Sequence, residues 1–240
     1  LRTLRSEGPA GVQVLAERLG VSPATIRRDL VELDRQGRLT RVHGGAVAAE
    51  DLDDPFAEVA MLRVEEKDAV AERAAQLIKD GEAVLLDIGT TAHRLARKLH
   101  GRSLTVITSN LMVYEELKDD QEIQIVLLGG VLRRSYHSLV GFLTEDNLRQ
   151  VHADHLILGT SGVRPTGQVM DTTAVEVPLK RAMIAAADQV VLLADVGKFP
   201  GTGIAKVCGP KDIDVVITNA PADPATAAAL REGEVEVIEV

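Results

Sequence analysis

The chain has 240 residues, 45% hydrophobic and 26% charged, the composition of a globular domain rather than a disordered or fibrous one. No run of about 18 apolar residues is available to span a bilayer, so no membrane passage is expected. The chain opens Leu1-Arg2-Thr3-Leu4-Arg5, with neither a methionine nor an apolar signal core. It therefore reads as a cytoplasmic protein whose first residues are missing, and secretion is not expected. The single cysteine, Cys208, excludes an internal disulfide and reads as a small strand residue between Val207 and Gly209. A net charge of −9 argues against a polyanion partner until its distribution is considered. Residues 1–47 hold eight arginines and five acids, a net +3, so the remainder carries −12. A positive head on an acidic body fits a DNA-reading module joined to a body that repels DNA.

In chain order, Val12, Leu15, Ala16 and Leu19 fall at i, i+3, i+4 and i+7, the spacing of one buried helical stripe, and Gly20 ends that helix. Ser22 is an N-cap for a second helix with Pro23 at its first position. Ile26, Leu30 and Leu33 point this helix inward, leaving Thr25, Arg27 and Arg28 on the outer side of its first turns; Gly37 supplies the stop. Two helices joined by a tight turn are a helical hairpin in general and a helix-turn-helix in particular. The continuation favours the latter: Arg38-Leu39-Thr40-Arg41-Val42 alternates like a strand, and His43-Gly44-Gly45 can turn it back as a wing. Ser22, Thr25, Arg27 and Arg28 then face the major groove and its backbone, with Arg38, Arg41 and His43 on the wing.

Leu15-Ala16-Glu17-Arg18-Leu19-Gly20-Val21-Ser22, Thr25-Ile26-Arg27-Arg28-Asp29-Leu30 and Arg41-Val42-His43-Gly44-Gly45-Ala46 resemble the DNA-binding signature of the DeoR family of sugar-metabolism repressors. The resemblance implies a winged helix-turn-helix over residues 1–47 with a truncated first helix. Gly11 departs from the usual Ser or Thr before the second helix.

From Ala48 to Pro55 the sequence is small and acidic and ends in proline, a linker; residues 48–66 are read as linker and start of a linking helix. Over Lys67–Ile78, Val70, Ala74, Leu77 and Ile78 share one helical face. Strand-like runs then alternate with helical stretches: Ala83–Ile88, Leu104–Ile107, Ile123–Leu128, His155–Leu158, Val190–Ala194, Val215–Thr218 and Val235–Val240. Residues 67–240 are therefore expected to form an α/β Rossmann-like domain on a mostly parallel sheet.

Polar loops follow these strands, at the edge where open α/β sheets bind ligands. Asp87-Ile88-Gly89-Thr90-Thr91 opens a helix whose free N–H groups, two hydroxyls and dipole suit a phosphate, with Lys198 as a candidate cation. These loops also resemble the family's C-terminal domain, which is similar to ribose-5-phosphate isomerase. The resemblance implies an effector site for a small phosphorylated sugar formed by Asp87, Gly89, Thr90, Thr91, Asn110, Gly130, Arg133, Ser138, Gly162, Glu176, Lys180 and Lys198. Gly197, where a serine commonly precedes the lysine, and Val59, where arginine is expected, depart from the pattern.

Asp87, Glu176, Lys180 and Lys198 also suit the acid–base chemistry of an aldose–ketose isomerase, which is the alternative reading. Glu176 and Lys180 alone, at i and i+4, have the spacing of a helix-surface ion pair. His93, His100, His137, His152 and His155 lack a metal-ligand grouping, so neither metal nor cofactor is expected. The main reading is a non-enzymatic, cytoplasmic and nucleoid-associated repressor whose partners are operator double-stranded DNA, a phosphorylated sugar and its own copies, as dimer or tetramer.

Overall fold

The computed structural model describes residues 3–4, 10–35, 39–42, 44–48 and 56–240. The expected DNA contacts Arg38 and His43, the stop at Gly37, and residues 49–55 of the linker lie outside the described residues. The chain divides into two compact units, residues 1–53 and 54–240.

In the first unit, strand β1 (Ala10–Gly11) leads into helix α1 (Val12–Leu19), then α2 (Pro23–Arg35), β2 (Leu39–Val42) and β3 (Gly45–Ala48). The three strands form an antiparallel sheet ordered β1-β3-β2, with Val42 paired to Gly45 across the wing turn. Leu15, Ala16, Ile26 and Leu30 pack with Leu4, Leu39 and Ala46 as its core. Leu19, expected on the buried stripe, is 55% exposed. The helix ends beside it, where Gly20 turns into the left-handed region at φ 66, so its last turn overhangs the core.

Residues 56–66, read as linker and start of a helix, belong to the second unit and are largely helical: α3 (Phe56–Ala60) precedes α4 (Val64–Ala75). The seven apolar runs are the seven strands of one parallel sheet: β4 (Ala83–Leu86), β5 (Leu104–Thr108), β6 (Ile123–Leu127), β9 (Ala153–Gly159), β12 (Ala187–Leu193), β14 (Val215–Thr218) and β15 (Glu236–Glu239). Their order is β15-β14-β12-β9-β4-β5-β6. The remaining elements are α5 (Thr90–Lys98), α6 (Leu111–Leu117), α7 (Phe142–Leu148), α8 (Val177–Ala185), α9 (Pro224–Glu232), a hairpin β7 (Val131–Arg133) with β8 (Ser138–Val140), and a small antiparallel sheet of β10 (Gly162–Val163), β11 (Val169–Asp171) and β13 (Ala205–Cys208).

Both faces of the large sheet are covered, which is why its strands read as continuous apolar runs. Leu85, Leu156, Leu158, Leu192 and Val216 face one core with Leu148, Leu179, Met183 and Leu230 of α7, α8 and α9. The alternate residues Leu86, Ile157, Val191, Leu193 and Ile217 face the other, against Val70, Leu95, Leu99, Val113 and Leu117 of α4, α5 and α6. Each large side chain buried this way contributes about 1.5–3 kcal/mol. Cys208 lies in β13, where burial pushes its thiol up to about 12. No helix among the described residues is long and apolar enough to cross a membrane.

The chain runs outward from β4 to β6 on one side and returns to β9 on the other. The β4–β9 junction is thus the topological switch point, and the crevice beyond its carboxyl ends is the place this fold offers a ligand.

Candidate functional site

The first unit presents its cations outward. Ser22 caps α2: its Oγ accepts the Thr25 N–H at 3.1 Å and lies 2.9 Å from Thr25 Oγ1. Arg27, Arg28 and Arg41 are exposed, and the Arg41 N–H donates to Asp34 Oδ1 at 3.2 Å, which ties the wing to α2. Ser22 and Thr25 therefore set the start of the helix that carries Arg27 and Arg28.

At the switch point of the second unit, Asp87 follows β4 and is fully buried. Its Oδ2 accepts the Gly159 N–H at 2.9 Å and lies 3.0 Å from Lys180 Nζ. Lys180, from α8, also reaches Asp171 Oδ2 at 3.1 Å and donates to Gly159 O at 3.0 Å. Burial pushes the Asp87 carboxyl above its usual range, against the pull of Lys180. Burial works against charge on Lys180 too, but Asp87, Asp171 and Glu176 outweigh it and hold the ammonium well above its ordinary value. Lys180 is therefore a fixed positive charge rather than a proton carrier.

The surrounding loops are sewn to this centre. Asn110 caps α6 through Oδ1, which accepts the Met112 and Val113 N–H groups, while its Nδ2 donates to Asp87 O at 3.4 Å. Its amide is committed to holding the loop. The β7–β8 hairpin joins the same loop through Leu139 N to Ser109 O and Leu111 N to His137 O. Arg133 at the end of β7 forms a buried ion pair with Glu176, and its guanidinium lies 5.4 Å from the Tyr136 ring centroid and 3.3 Å from Thr173 Oγ1. Burial pushes the Glu176 carboxyl up to about 8, against Lys180 and Arg133. Glu176 and Lys180 are 2% and 3% exposed and engage different partners, so the surface ion-pair reading of their i, i+4 spacing is corrected: Glu176, the N-cap of α8, and Lys180, within it, both turn into the site.

Three oxygens in this ring, Asp87 Oδ1, Ser109 Oγ and Ser138 Oγ, are buried without a hydrogen-bond partner among the described residues. Each such group costs about 1–3 kcal/mol, which marks a place where another hydrogen-bonding molecule is accommodated.

The glycines separate by role. Gly89, at φ 144, caps α5, and a Cβ there meets nothing within 4 Å, so the helix start bearing the buried Thr90 and half-buried Thr91 has an open approach. Gly162 is pressed against Thr202 N and Gly201 Cα, where a Cβ would come within 2.5 and 2.6 Å, and Gly130 against Thr144 Oγ1 at 2.0 Å. At these two positions glycine permits close packing, against backbone at Gly162 and against the Thr144 hydroxyl and Val140 backbone at Gly130. Lys198 ends a 3₁₀ turn, Val196–Lys198, whose Gly197 N–H donates to Asp195 Oδ1 at 2.9 Å and whose Val196 N–H donates to Asn219 Oδ1 at 2.8 Å. Burial holds Lys198 below its ordinary value.

Asp171, Arg63 and Lys67 carry no site role in the sequence analysis, and Ser109 and Asp195 enter it only through the polar loops Thr108–Asn110 and Asp195–Lys198. Lys67 carried a legible signal, since it falls in phase with Val70, Ala71 and Ala74, the buried stripe of α4. Asp171 carried none, because a three-residue strand has too little periodicity to fix its facing. Among the described residues no group of three or more His, Cys, Asp or Glu is arranged to hold a metal ion.

Residues 1–51 match the DeoR-like helix-turn-helix domain and residues 62–220 the DeoR C-terminal sensor domain. The glycerol-3-phosphate regulon repressor of Escherichia coli is 32% identical over 99% of this chain and 95% of its own. The transcriptional regulator GolR of Listeria innocua is 36% identical over 87% and 83%. Among solved structures, the tetrameric eIF2B-β2-δ2 complex from C. thermophilum superposes with a TM-score of 0.50 at 16% identity, covering 71% of this chain and 61% of that one. Ribose 5-phosphate isomerase A from Methanocaldococcus jannaschii gives a TM-score of 0.41 at 20% identity over 55% and 52%. The relatives are named as regulators and not as enzymes, so the isomerase alternative falls away. The chain belongs to the DeoR family of transcriptional regulators, with a helix-turn-helix DNA-binding domain followed by an α/β sensor domain.

Proposed function

We propose that this regulator is a cytoplasmic, nucleoid-associated repressor that releases its operator when a small phosphorylated sugar occupies the β4–β9 crevice. The observation that carries the reading is the ring of unpartnered buried oxygens, Asp87 Oδ1, Ser109 Oγ and Ser138 Oγ, set beside Lys180 at the carboxyl edge of the sheet. Those oxygens suit sugar hydroxyls, as does the Arg133–Glu176 pair. The open start of α5 at Gly89, Thr90 and Thr91, with Lys198, suits the phosphate. The name of the E. coli relative makes glycerol 3-phosphate the first compound to try beside the sugar phosphates.

On the DNA side, α2 enters the major groove with Arg27 and Arg28, and the wing brings Arg41 to the backbone. Two copies read a two-fold operator, so the working form is a homo-oligomer. Ligand acts by favouring one of two arrangements of the DNA readers, typically a coupling of about 1–3 kcal/mol. The test is a thermal-shift panel of phosphorylated sugars and glycerol 3-phosphate. A ligand at 100 times its Kd adds about 2.7 kcal/mol of stability. A compound that stabilises the protein and lowers operator affinity supports the reading, and a panel with no stabilising member overturns it.

A further inference from the structure

We propose that Phe56 is a positioning residue that couples the effector crevice to the chain leading from the DNA reader: its ring, clasped by Tyr136, His93 and His137, ties the start of α3 to the β7–β8 hairpin that carries Arg133. The proposal rests on the sugar-phosphate reading above and names the contact through which occupancy of that site is transmitted.

Aromatic side chains are scarce in this protein: three phenylalanines, two tyrosines and no tryptophan. Phe56, 4% exposed, is the one buried member of the five, and it belongs to neither of the two aliphatic cores that flank the large sheet. Its ring instead meets Tyr136 and His93 at centroid distances of 5.7 Å and His137 at 6.2 Å, all edge to face. Such pairs contribute beyond their buried area and orient the ring, which aliphatic packing does not. The Phe56 N–H donates to Ser135 O at 3.1 Å, so backbone and ring grip the same turn, residues 134–137.

A five-residue helix has too few internal hydrogen bonds to set its own direction, so α3 is aimed by what holds its two ends. Its last turn is fixed to the neighbouring helices: Val59 O accepts from Lys67 Nζ at 2.6 Å, and Ala60 O from Arg94 Nη2 at 3.1 Å. Its first residue is fixed to the hairpin. That hairpin is a two-stranded sheet of its own, so a shift of it breaks no rung of the seven-stranded ladder.

The other side of the same turn is the effector site. Arg133, which forms the buried pair with Glu176, places its guanidinium 5.4 Å from the Tyr136 centroid, and Ser138, whose Oγ has no hydrogen-bond partner among the described residues, follows the turn directly. Tyr136 thus meets the ion pair through one contact and Phe56 through another. A hydroxyl that engages Arg133 and Glu176 alters the guanidinium's hold on Tyr136 and re-aims the ring against which Phe56 rests. Residues 49–55 precede Phe56 in sequence, so the point at which the linker joins the sensor unit follows the state of the ion pair.

The test uses the full chain. Because it has no tryptophan, Phe56→Trp places a single indole in the clasp. Without any ligand, adding Glu176→Gln to Phe56→Trp should shift the indole emission maximum, and unchanged emission overturns the proposal. A second arm titrates operator DNA into parent, Phe56→Leu and Phe56→Tyr, with and without glycerol 3-phosphate and the phosphorylated sugars of the panel. Phe56→Leu should bind the stabilising compound with a Kd within about three-fold of the parent's. The compound's effect on operator affinity, about 5- to 150-fold in the parent, should fall below about two-fold in that variant. Phe56→Tyr, which keeps the aromatic edge, should retain it. A ring with a structural role alone predicts the opposite split, with melting temperature and compound affinity falling while coupling persists. Tyr136→Leu breaks the same contact from the hairpin side and should lose coupling equally, and the double variant should lose no more than either single one. Parent-like coupling in Phe56→Leu and Tyr136→Leu, or loss of compound binding together with coupling, overturns the proposal. A parent that binds no panel compound overturns the sugar-phosphate reading instead, and the emission arm then decides the clasp by itself.

Discussion

In the first unit Arg27, Arg28 and Arg41 stand exposed around a small core of Leu15, Ile26 and Leu30, whereas in the second unit Lys67 and Lys180 are 3% exposed at the heart of the molecule. The two sets work under different physics. Exposed arginines act through water and salt, so each contributes modestly and the sum depends on ionic strength. Buried lysines act at short range in a poorly screened interior, where one missing partner matters and the geometry selects a small ligand. The same charge is thus available to a long polyanion on one unit and committed to short-range partners on the other, according to how much water is left around it.

The sharpest way to break this contrast is Lys180→Met. It leaves Asp87 and Asp171 buried without their shared cation, and should lower stability by about 3–5 kcal/mol in urea unfolding. The loss should shrink as pH falls and the carboxylates take protons; a loss below about 1 kcal/mol would mean the centre is wetter than its burial implies. Next come Arg27→Ala and Arg28→Ala, each expected to leave folding unchanged. A base-contacting arginine should cost about 1–3 kcal/mol of operator affinity and relax specificity, whereas a phosphate-contacting one should weaken all sequences alike. Operator titrations on matched and scrambled sites separate the two, and two mutants that bind like the parent would displace α2 from the groove.

Lys67→Met should move in the opposite direction to Lys180→Met, raising stability at neutral pH by about 1–2 kcal/mol. The sign follows from a folded pKa held at about 8, below its unfolded value. Stability linked to Lys67 is fully present above the unfolded value of about 10.4 and is lost as pH falls through 8. Unfolding curves of the parent should therefore gain stability between pH 8 and 10 relative to the variant, and parallel curves would contradict the assignment. Arg41→Ala carries the smallest effect: it should reduce the slope of log affinity against log salt by about one and leave specificity alone. A change in base preference would show that the wing reads more than the backbone.

The inner strands of the large sheet were legible because both faces are buried, which turns Val84–Leu86 or Val215–Thr218 into unbroken apolar runs, while the edge strand β15 showed instead as an alternation of Val or Ile with Glu. The antiparallel additions were not: β10 and β11 are two and three residues long, too short for a period, and their facing is set by contacts distant in sequence. Among site residues, Asp87, Arg133, Glu176 and Lys180 converge in the fold. Asp171 joins them only because β11 packs beside α8. Glycine roles were the least legible. Gly89, Gly130 and Gly162 look alike as letters, yet one opens a helix start and two make room for close neighbours, a threonine hydroxyl at Gly130 and backbone at Gly162. The departure at Gly197 acquires a meaning in three dimensions, since Arg63, distant in sequence, fills the space. Lys67 shows that a lysine in phase with an apolar stripe is a signal of a buried charge.

In the proposed mechanism one ligand couples the sensor-unit crevice to the exposed arginines of the DNA reader. The most direct measurement is an operator titration of the parent and Lys198→Ala, each with and without a saturating compound from the thermal panel. The account predicts that ligand weakens the parent's operator affinity about 5- to 150-fold, and that Lys198→Ala without ligand binds DNA like the parent but needs more compound to let go. An operator affinity unchanged by ligand in the parent would contradict it, even with the compound bound in the crevice.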